Sequence, residues 1–362
     1  MKFTVNTSEL SKKLSVLSRI VSSSNVMPIL GTILCQVGEE LTLTSSDSEM
    51  TIQTKVKLVE SDGASFAFTA PVKILMDLLS CFALQTIAVE LVRDSVVIDV
   101  PNGQYIFPSM DIKDFPSVPK LGIVSETVLS ADVFKHGIER TIFSMADDQL
   151  RPSINGICIE IEDSISFAST DSYRISWVVG DIISGNADQR FIISSKTANL
   201  INSLSFKGMY DMSFEVNATD ALFHVGEYDV YTRLVIGKFP PFKSVIPKGE
   251  MSVLTTNKSE LLGVLKRVSV FSNKTTSIMR MSIGKDIVLS SEDTDMKHKA
   301  TETVSCVYNG KPLDIGFKKD FISGVVSNIE SEEVTMHFTT SRHPVVFDYE
   351  HVKLVLIPLK ID

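Results

Sequence analysis

Apolar residues recur at helical spacing in three well-separated parts of the chain. Positions spaced i, i+4 and i+7 fall on one face of a helix, so each run predicts an amphipathic helix. Ser8 is the predicted N-cap of the first helix, with Glu9 in the first turn, where the helix dipole favours an acid. The three runs are Leu10, Leu14, Leu17 and Val21; Phe134, Ile138, Ile142 and Met145; and Leu261, Leu265 and Val268.

Alternating apolar and polar residues follow the first helical run and predict strands. A second helix is predicted to begin near Pro71, because proline suits the first helical turn. The order of helix, strands, helix and strands indicates an α+β fold with antiparallel sheets and two helices per unit. The predicted strands cover residues 32–37, 41–44, 51–58, 87–91, 96–100 and 104–107.

Short motifs repeat along the chain with one period, which is the signature of an internal repeat. The similar motifs Ser46-Asp47, Thr170-Asp171 and Glu292-Asp293 place their aspartates at separations of 124 and 122 residues. Other markers agree with this period: Lys73, Lys196 and Lys319; Pro116, Pro240 and Pro358; and the pair Pro28 and Pro152.

These markers predict three homologous domains of a common size. The boundaries are predicted near Gly122 and Gly249, where glycine favours a turn. The predicted domains are residues 1–121, 122–248 and 249–362.

Charge is distributed unevenly between helices and the rest of the chain. The net charge is −9, which alone argues against a nucleic-acid-binding protein, since phosphate contacts need lysine and arginine. The six predicted helices (8–22, 71–82, 130–146, 195–205, 257–273 and 318–329) nevertheless sum to +6, leaving −15 elsewhere. Helices on one surface would therefore form a basic wall; the alternative is that they simply carry solvated lysines.

Motifs for catalysis, metal binding or membrane insertion are absent from the sequence. The six histidines and four cysteines show no ligand spacing, and no nucleophile elbow or phosphate-binding loop occurs. Cys35 and Cys158 lie in apolar runs and are expected to be small buried hydrophobes. Asp47 and Glu49 could bind a cation, but a recurring Asp turn favours a structural role. We expect no enzyme activity, no cofactor and no metal.

The amino terminus also bears on location. Residues 1–6 lack the apolar segment of a signal peptide, and no run of about 18 apolar residues occurs. These features predict a cytoplasmic protein without membrane association.

In order and spacing, the motifs resemble those of the bacterial DNA polymerase III β subunit, the β sliding clamp, over essentially the whole chain. Among them are Pro28-Ile29-Leu30-Gly31, Asp114-Phe115-Pro116, Phe143-Ser144-Met145-Ala146, Ile154-Asn155-Gly156, Gly237-Lys238-Phe239-Pro240, Ile315-Gly316-Phe317 and Ile357-Pro358-Leu359-Lys360.

The resemblance implies three tandem DNA-clamp domains and a head-to-tail homodimer that forms a six-domain ring around duplex DNA. As a processivity factor, such a ring tethers the polymerase without reading sequence. The chain-to-chain contact would involve Tyr105 and Phe107 of one copy and Val270 and Phe271 of the other. The basic residues that would face DNA are Lys12, Lys13, Arg19, Lys73, Lys135, Arg140, Lys196, Lys266, Arg267, Lys318 and Lys319.

The family also has one peptide pocket per chain. Its implied partners are the polymerase III catalytic subunit, the clamp loader, and other polymerases and repair proteins with short linear motifs. The matching residues are Ile154, Thr170, Ser172, Tyr173, Arg174, Ile175, Pro240, Val245, Phe321, Val355, Ile357, Pro358 and Leu359. Without the resemblance, these residues would be interpreted as ordinary core plus a C-terminal strand.

This sequence departs from the family pattern at several of these positions. Ser172 stands where glycine is common, Ser244 where a basic residue is common, and Pro241 where Asp or Asn is usual. The segment from Ser22 to Asn25, which would touch DNA, carries no basic residue. A second hypothesis is a repeat-built binding module with no DNA role, which predicts a monomer without charge segregation.

Overall fold

The three repeats fold into the same succession of elements: a strand, a helix, four strands, a helix and three strands. The structure is a computed structural model and describes residues 1–21, 27–122, 125–148, 150–185, 188–204, 206–208 and 210–361. Two additional two-residue strands occur, one in the first repeat and one in the second.

The first repeat contains nine strands and two helices in the described residues. In chain order they are β1 Lys2–Asn6, α1 Thr7–Leu17, β2 Thr32–Val37, β3 Glu40–Ser46, β4 Met50–Lys57, β5 Glu60–Ser61, β6 Phe66–Pro71, α2 Val72–Ser80, β7 Thr86–Val92, β8 Ser95–Val100 and β9 Gly103–Pro108.

The second repeat copies this order. Its elements are β10 Ser125–Ser130, α3 Ala131–Ile142, β11 Gly156–Ile161, β12 Ile165–Thr170, β13 Arg174–Gly180, β14 Ser184–Gly185, β15 Gln189–Ser194, α4 Ser195–Asn202, β16 Asp211–Val216, β17 Asp220–Val225 and β18 Tyr228–Arg233.

The third repeat lacks only the two-residue strand. Its elements are β19 Ser252–Asn257, α5 Lys258–Ser269, β20 Ile278–Ile283, β21 Asp286–Asp293, β22 His298–Tyr308, β23 Leu313–Lys318, α6 Lys319–Ser327, β24 Glu333–Phe338, β25 Val345–Tyr349 and β26 Val352–Leu356.

The strands form three antiparallel sheets, which confirms the predicted α+β class. The smallest has the order β5-β1-β7-β8-β9, and the second β14-β10-β16-β17-β18-β4-β3-β2-β6. The third sheet has twelve strands in the order β15-β11-β12-β13-β26-β25-β24-β19-β22-β21-β20-β23.

Two compact units divide the described chain, and they cut across the second repeat. Unit 1 comprises Met1–Asp132, Ile182–Asn186 and Lys196–Leu234; unit 2 comprises Val133–Asp181, Ala187–Ser195 and Val235–Asp362. Unit 1 contains the five- and nine-stranded sheets, and unit 2 contains the twelve-stranded sheet.

Neighbouring repeats are joined by the same strand pairing in each unit. In unit 1, β4 pairs with β18, and Thr54 lies opposite Tyr228. In unit 2, β13 pairs with β26, and Val178 lies opposite Val352. One sheet therefore continues from each repeat into the next.

The predicted apolar helix faces are buried, although the helices are shorter than predicted. Because α1 ends at Leu17 and α3 at Ile142, Val21 and Met145 lie beyond the helices and are only half-buried. The residues that do form the buried faces are Leu10, Leu14 and Leu17; Phe134 and Ile138; and Leu261, Leu265 and Val268. All six strands predicted in the first repeat are present.

The structure corrects three details. Asn6, not Ser8, caps α1, because Asn6 Oδ1 accepts a hydrogen bond from the Ser8 amide at 2.9 Å. Lys319 is the first residue of α6, whereas Lys73 and Lys196 are the second residues of α2 and α4, so the position that matches these lysines in the third repeat is Asp320. Tyr228 and Val352 are equivalent, because each is the first residue after a two-residue β-turn. Counting six residues onward from each aligns Pro358 with Leu234, not with Pro240.

Candidate functional site

The motifs of Asp47, Asp171 and Asp293 form the same hydrogen-bonded turn in all three repeats, which confirms the structural role predicted for these aspartates. Asp47 Oδ1 accepts from the amides of Glu49 and Met50 at 2.9 and 2.7 Å. Asp171 Oδ1 accepts from those of Tyr173 and Arg174 at the same distances. Asp293 Oδ1 repeats the pattern with Asp295 and Met296, both at 3.1 Å. These are Asx turns, in which a carboxylate stands in for a backbone acceptor.

Ser172 occupies a backbone conformation that explains why glycine is common at its position. Its φ is +78°, in the left-handed region, and the equivalent Ser48 has φ +76°. The Ser172 hydroxyl also accepts a hydrogen bond from Arg151 Nη1 at 2.8 Å, and Arg151 Nε donates to Asp148 at 2.8 Å. Arg151 therefore ties this turn to the preceding loop, a role that the sequence analysis missed.

Arg174 lies between a carboxylate and two aromatic rings. Its guanidinium donates to Asp171 from Nε at 2.9 Å and also contacts that carboxylate through Nη2 at 2.8 Å. The same group lies 4.7 Å from the Phe321 ring centroid and 5.8 Å from that of Phe143. A Cβ at Gly324 would lie 2.9 Å from Arg174 Nη1, so a larger residue there would displace the guanidinium.

Phe321, on α6, is the aromatic centre of the site. The Tyr173 ring lies 5.3 Å from the Phe321 ring, centroid to centroid, and the Lys318 ammonium lies 4.9 Å from the same centroid. Cation–π contacts at these distances stabilise the arrangement. Lys318, expected to face DNA, thus sits beside the peptide-pocket residues.

The C-terminal segment runs alongside this aromatic group. The Ile357 amide donates to the Tyr173 carbonyl, and the Leu359 amide donates to the Gly316 carbonyl, each at 2.8 Å. The first bond extends the β13–β26 pairing beyond Leu356, and the second joins the segment to β23. Ile357, Pro358 and Leu359 are half-buried.

An apolar cluster lies under the site. Ile175 of β13 and Val355 of β26 are buried in it together with Phe239 and Phe242 from the loop that follows Leu234. Pro240 and Val245 are on the same loop, Pro240 half-buried and Val245 exposed. A surface built over such a cluster, apolar with a few polar groups, has the composition of a site for a short apolar peptide.

All thirteen predicted pocket residues fall in unit 2. Four of them are buried and can only support the exposed residues from below: Ile154, Thr170, Ile175 and Val355. The remaining nine are exposed or half-buried: Ser172, Tyr173, Arg174, Pro240, Val245, Phe321, Ile357, Pro358 and Leu359. Tyr173, Arg174 and Phe321 touch directly, as do the backbones of Tyr173 and Ile357.

The predicted DNA-facing residues differ in availability. Lys12, Lys73 and Lys266 are exposed, and within the described residues they make no ion pair. Lys13 does not fit this role, because it is buried against Glu227 and its ammonium lies 4.9 Å from the Tyr228 ring centroid.

The other predicted cations all have contacts within the chain. Arg140 pairs with Glu330, Lys196 pairs with Asp47, and Arg267 binds Glu302 through Nε and Nη2. Lys135 lies 3.7 Å from Glu139, Arg19 donates to the Ser203 carbonyl, and Lys319 donates to the Ser269 carbonyl. The segment Ser22 to Asn25 lies outside the described residues.

The helices as bounded in the structure carry a net charge of +4 rather than +6, because Arg19 and Lys318 lie outside them. The rest of the chain then carries −13. The segregation of charge is smaller than predicted but keeps its sign.

The predicted chain-to-chain residues lie at two strand edges. Among the described strands, only β8 pairs with β9, and on the side away from β21 no strand pairs with residues 298–305 of β22. Tyr105, Val270 and Phe271 are exposed at 40%, 77% and 40%. Phe107 is buried, so it can contribute to a contact only through its backbone.

Exposed Ile106 and Met296 lie at the same two edges, and the sequence analysis missed both. Ile106 lies on β9 and Met296 lies in the turn before β22. At such positions the pairing of strands, and not a sequence motif, determines which side chains come into contact.

Two of the four cysteines are buried thiols. Cys35 and Cys158 are buried, as predicted, and burial raises the pKa of the Cys158 thiol to about 11. In the described ranges no group of three His, Cys, Asp or Glu side chains is arranged to hold a metal ion. No described helix is long and apolar enough to cross a membrane.

Solved DNA polymerase sliding clamps share this architecture. The sliding clamp of Pseudomonas aeruginosa superposes with a TM-score of 0.94 at 22% identity, and both chains are covered completely. The DNA polymerase III β subunit of Thermotoga maritima superposes with a TM-score of 0.89, also at 22% identity and full coverage. The fold is that of a clamp.

Sequence comparison places the chain in one family. The β sliding clamp of Escherichia coli K12 is 26% identical over 346 residues, covering 94% of each chain. Models of the N-terminal, central and C-terminal domains of the DNA polymerase III β subunit match residues 1–119, 128–241 and 243–356. The chain belongs to the DNA polymerase III β subunit family, the β sliding clamps.

Proposed function

We propose that two copies of this chain join head to tail in a closed ring that encircles duplex DNA and tethers the replicative polymerase. The observation that carries this proposal is the repeated junction, β4 with β18 and β13 with β26. The equivalent strands of the third and first repeats are β22 and β9. No described strand pairs with the outer edge of β9 or with the edge of residues 298–305 of β22 that faces away from β21. A heterologous contact of this kind makes a ring when its rotation closes.

The two internal junctions also predict the register of the junction between chains. Thr54 lies opposite Tyr228, and Val178 lies opposite Val352. Thr54 and Val178 pair with Leu43 and Phe167 of the strands before the aspartate turns, and the equivalent residue of the third repeat, Leu289, pairs with Glu302. Glu302 of one chain therefore lies opposite Gly103 of the other, and Thr301 lies opposite Gln104. Pairing these edges also removes two exposed templates for aggregation.

DNA is held by topology rather than by sequence readout. Exposed lysines on the helices, such as Lys12, Lys73 and Lys266, attract phosphates without distinguishing bases. Since many of the other predicted cations are paired within the chain, we expect weak, salt-sensitive contact with linear DNA.

The groove around Phe321 is the proposed docking site for partner peptides. The partners are the polymerase III catalytic subunit, the clamp loader, and other polymerases and repair proteins. Solved clamp structures from Pseudomonas aeruginosa and Bartonella birtlesii are bound to griselimycin, which makes this compound a probe for the present chain. Tyr173, Arg174, Phe321 and Leu359 supply the apolar and polar contacts that a short motif needs.

The chain works as a tether, in the cytoplasm, without a cofactor and without catalysing a reaction. The domain boundaries at 1–121, 122–248 and 249–362 are supported by the three family-model matches, which end and begin close to these positions.

Primer extension tests the proposal directly. On a long single-stranded template with the cognate polymerase and clamp loader, the chain should lengthen the product made in one binding event. Product lengths that do not change on addition of this chain would reject the tethering function.

A further inference from the structure

The loop that carries Pro240 and Val245 lies across the sheet with few backbone bonds to it. Among the described residues, the Val235 amide at the start of the loop donates a hydrogen bond to the Ile192 carbonyl of the sheet at 2.8 Å. The backbone hydrogen bonds of residues 240–245 join residues of the loop to one another. Side chains must therefore fix the position of this wall of the proposed pocket.

A buried carboxylate lies under that loop. Glu160, on β11, is 8% exposed, and its two oxygens face two cations: Arg190 Nε at 3.1 Å and Lys243 Nζ at 2.8 Å. Arg190, on the edge strand β15, also donates from Nη2 to the Phe239 carbonyl at 3.3 Å. Glu160 thus joins the sheet to the loop through both partners.

Lys243 adds an aromatic connection. Its ammonium lies 5.6 Å from the Trp177 ring centroid and 5.9 Å from that of Phe242, and these two rings meet edge to face at 5.9 Å. Phe242 also packs against Phe239 in the apolar cluster that contains Ile175 and Val355. The lysine is therefore placed to hold the loop against the floor of the groove.

We propose that Glu160 is a positioning residue for the peptide pocket: through Lys243 and Arg190 it holds the loop of Pro240 and Val245 at the width that a peptide requires. This inference rests on the proposed peptide-docking function. A buried, paired charge is costly to break from one side, so removing either partner should release the loop.

The test measures binding of a fluorescein-labelled peptide that carries the clamp-binding segment of the polymerase III catalytic subunit from the same cell. Glu160→Gln should raise the peptide Kd about tenfold, and Lys243→Met by a similar factor. The double variant should be no weaker than Glu160→Gln alone, because both changes break the same contact. Lys243→Arg keeps the charge within reach of Glu160 and should restore binding.

Lys353→Met is the matched control. Lys353 also lies 5.9 Å from the Trp177 ring centroid and pairs with Asp348, but it is on β26 rather than on the loop. Its removal should change the peptide Kd less than about twofold. Trp177 is the only tryptophan, so its emission should shift in Lys243→Met before any peptide is added.

The outcomes separate this inference from the function on which it rests. Failure of the wild-type chain to bind the peptide would reject the peptide-docking function itself. Binding that Leu359→Ala abolishes, but that Glu160→Gln and Lys243→Met leave unchanged, would overturn the role of Glu160 alone. If Glu160→Gln lowers the melting temperature, the comparison of Lys243→Met with Lys243→Arg shows whether the contact with Glu160 affects peptide binding. These variants are less disruptive, because Lys243 lies largely at the surface.

Discussion

Tyr173 and Phe321 face each other with ring centroids 5.3 Å apart, one from an Asx turn of the second repeat and one from the last helix of the third. Their contact brings together two segments that are far apart in sequence. Arg174 and Lys318 lie against the same Phe321 ring, so one aromatic side chain organises this rim of the groove.

Removal of that ring should weaken peptide binding more than it weakens the fold. Phe321→Ala removes the partner of Tyr173, Arg174 and Lys318, and we expect the Kd for a polymerase-derived peptide to rise by about 10- to 100-fold. Fluorescence anisotropy gives this value. Phe321→Tyr keeps the ring and should bind within about threefold of wild type. Equal affinity of the alanine variant and wild type would show that the groove is not the docking site.

The two serines with positive φ should respond differently to glycine. Ser48→Gly relieves left-handed strain in the first repeat and should raise the free energy of unfolding by about 0.5–1 kcal/mol. Ser172→Gly relieves the same strain but loses the hydrogen bond from Arg151, so its gain should be smaller by about 0.5–1 kcal/mol. Urea denaturation measures both. A larger gain for Ser172→Gly than for Ser48→Gly would contradict the role given to Arg151.

The register between chains can be tested by disulfide formation. The proposed pair of Thr301 and Gln104 matches Trp177 and Lys353 in the second junction, whose side chains meet on the sheet surface. With Cys81 and Cys306 changed to serine, Thr301→Cys combined with Gln104→Cys should give a covalent dimer on mild oxidation.

Lys299→Cys combined with Gln104→Cys is the control, because it displaces the pair by two residues on the same face. Efficient cross-linking of this control and not of the first pair would reject the register. No cross-link in either would reject the edge-to-edge contact.

His224 should make the stability of unit 1 depend on pH. Its Nδ1 lies 2.7 Å from Asp229 and its Nε2 lies 3.5 Å from Glu215, on neighbouring strands. The hydrogen bond with Asp229 raises the pKa of His224 above its ordinary value, more than burial lowers it. Tyr231 is close to the same carboxylates, which together with burial raise the pKa of its hydroxyl.

Since the folded-state pKa is raised, the stabilisation is complete below the unfolded value of about 6.5 and is lost as pH rises through the folded-state pKa. Melting temperatures from about pH 5.5 to about pH 8.5 should show wild type losing its advantage over His224→Gln as pH rises. Asp229→Asn should remove much of the same dependence. A wild-type advantage that grows with pH would contradict the assignment.

The repeat architecture could be predicted from sequence because it rests on local signals. The helix faces of Leu10, Leu14 and Leu17 and the recurring Asp turns follow from periodicity and turn chemistry alone. The sheet pairing that joins the repeats could not be predicted in this way, since strand neighbours such as Thr54 and Tyr228 are set by tertiary contacts.

Only the family resemblance indicates the pocket residues, and nothing in the sequence indicates the residues that support them. Glu160, Lys243 and Arg151 act through partners in other segments, so neither spacing nor composition marks them. The sequence predicts Lys13 at the surface, because it lies on an amphipathic helix. In the structure it is instead packed against Glu227 and Tyr228 of the second repeat.

Retention on circular DNA tests the ring most directly. The protein is loaded on a nicked circle by its cognate clamp loader, separated from free protein, and followed before and after the circle is cut. The account predicts a species with the mass of two chains that stays on the intact circle and leaves once the DNA has ends. A monomer, or a protein whose retention is unaffected by cutting, would contradict it.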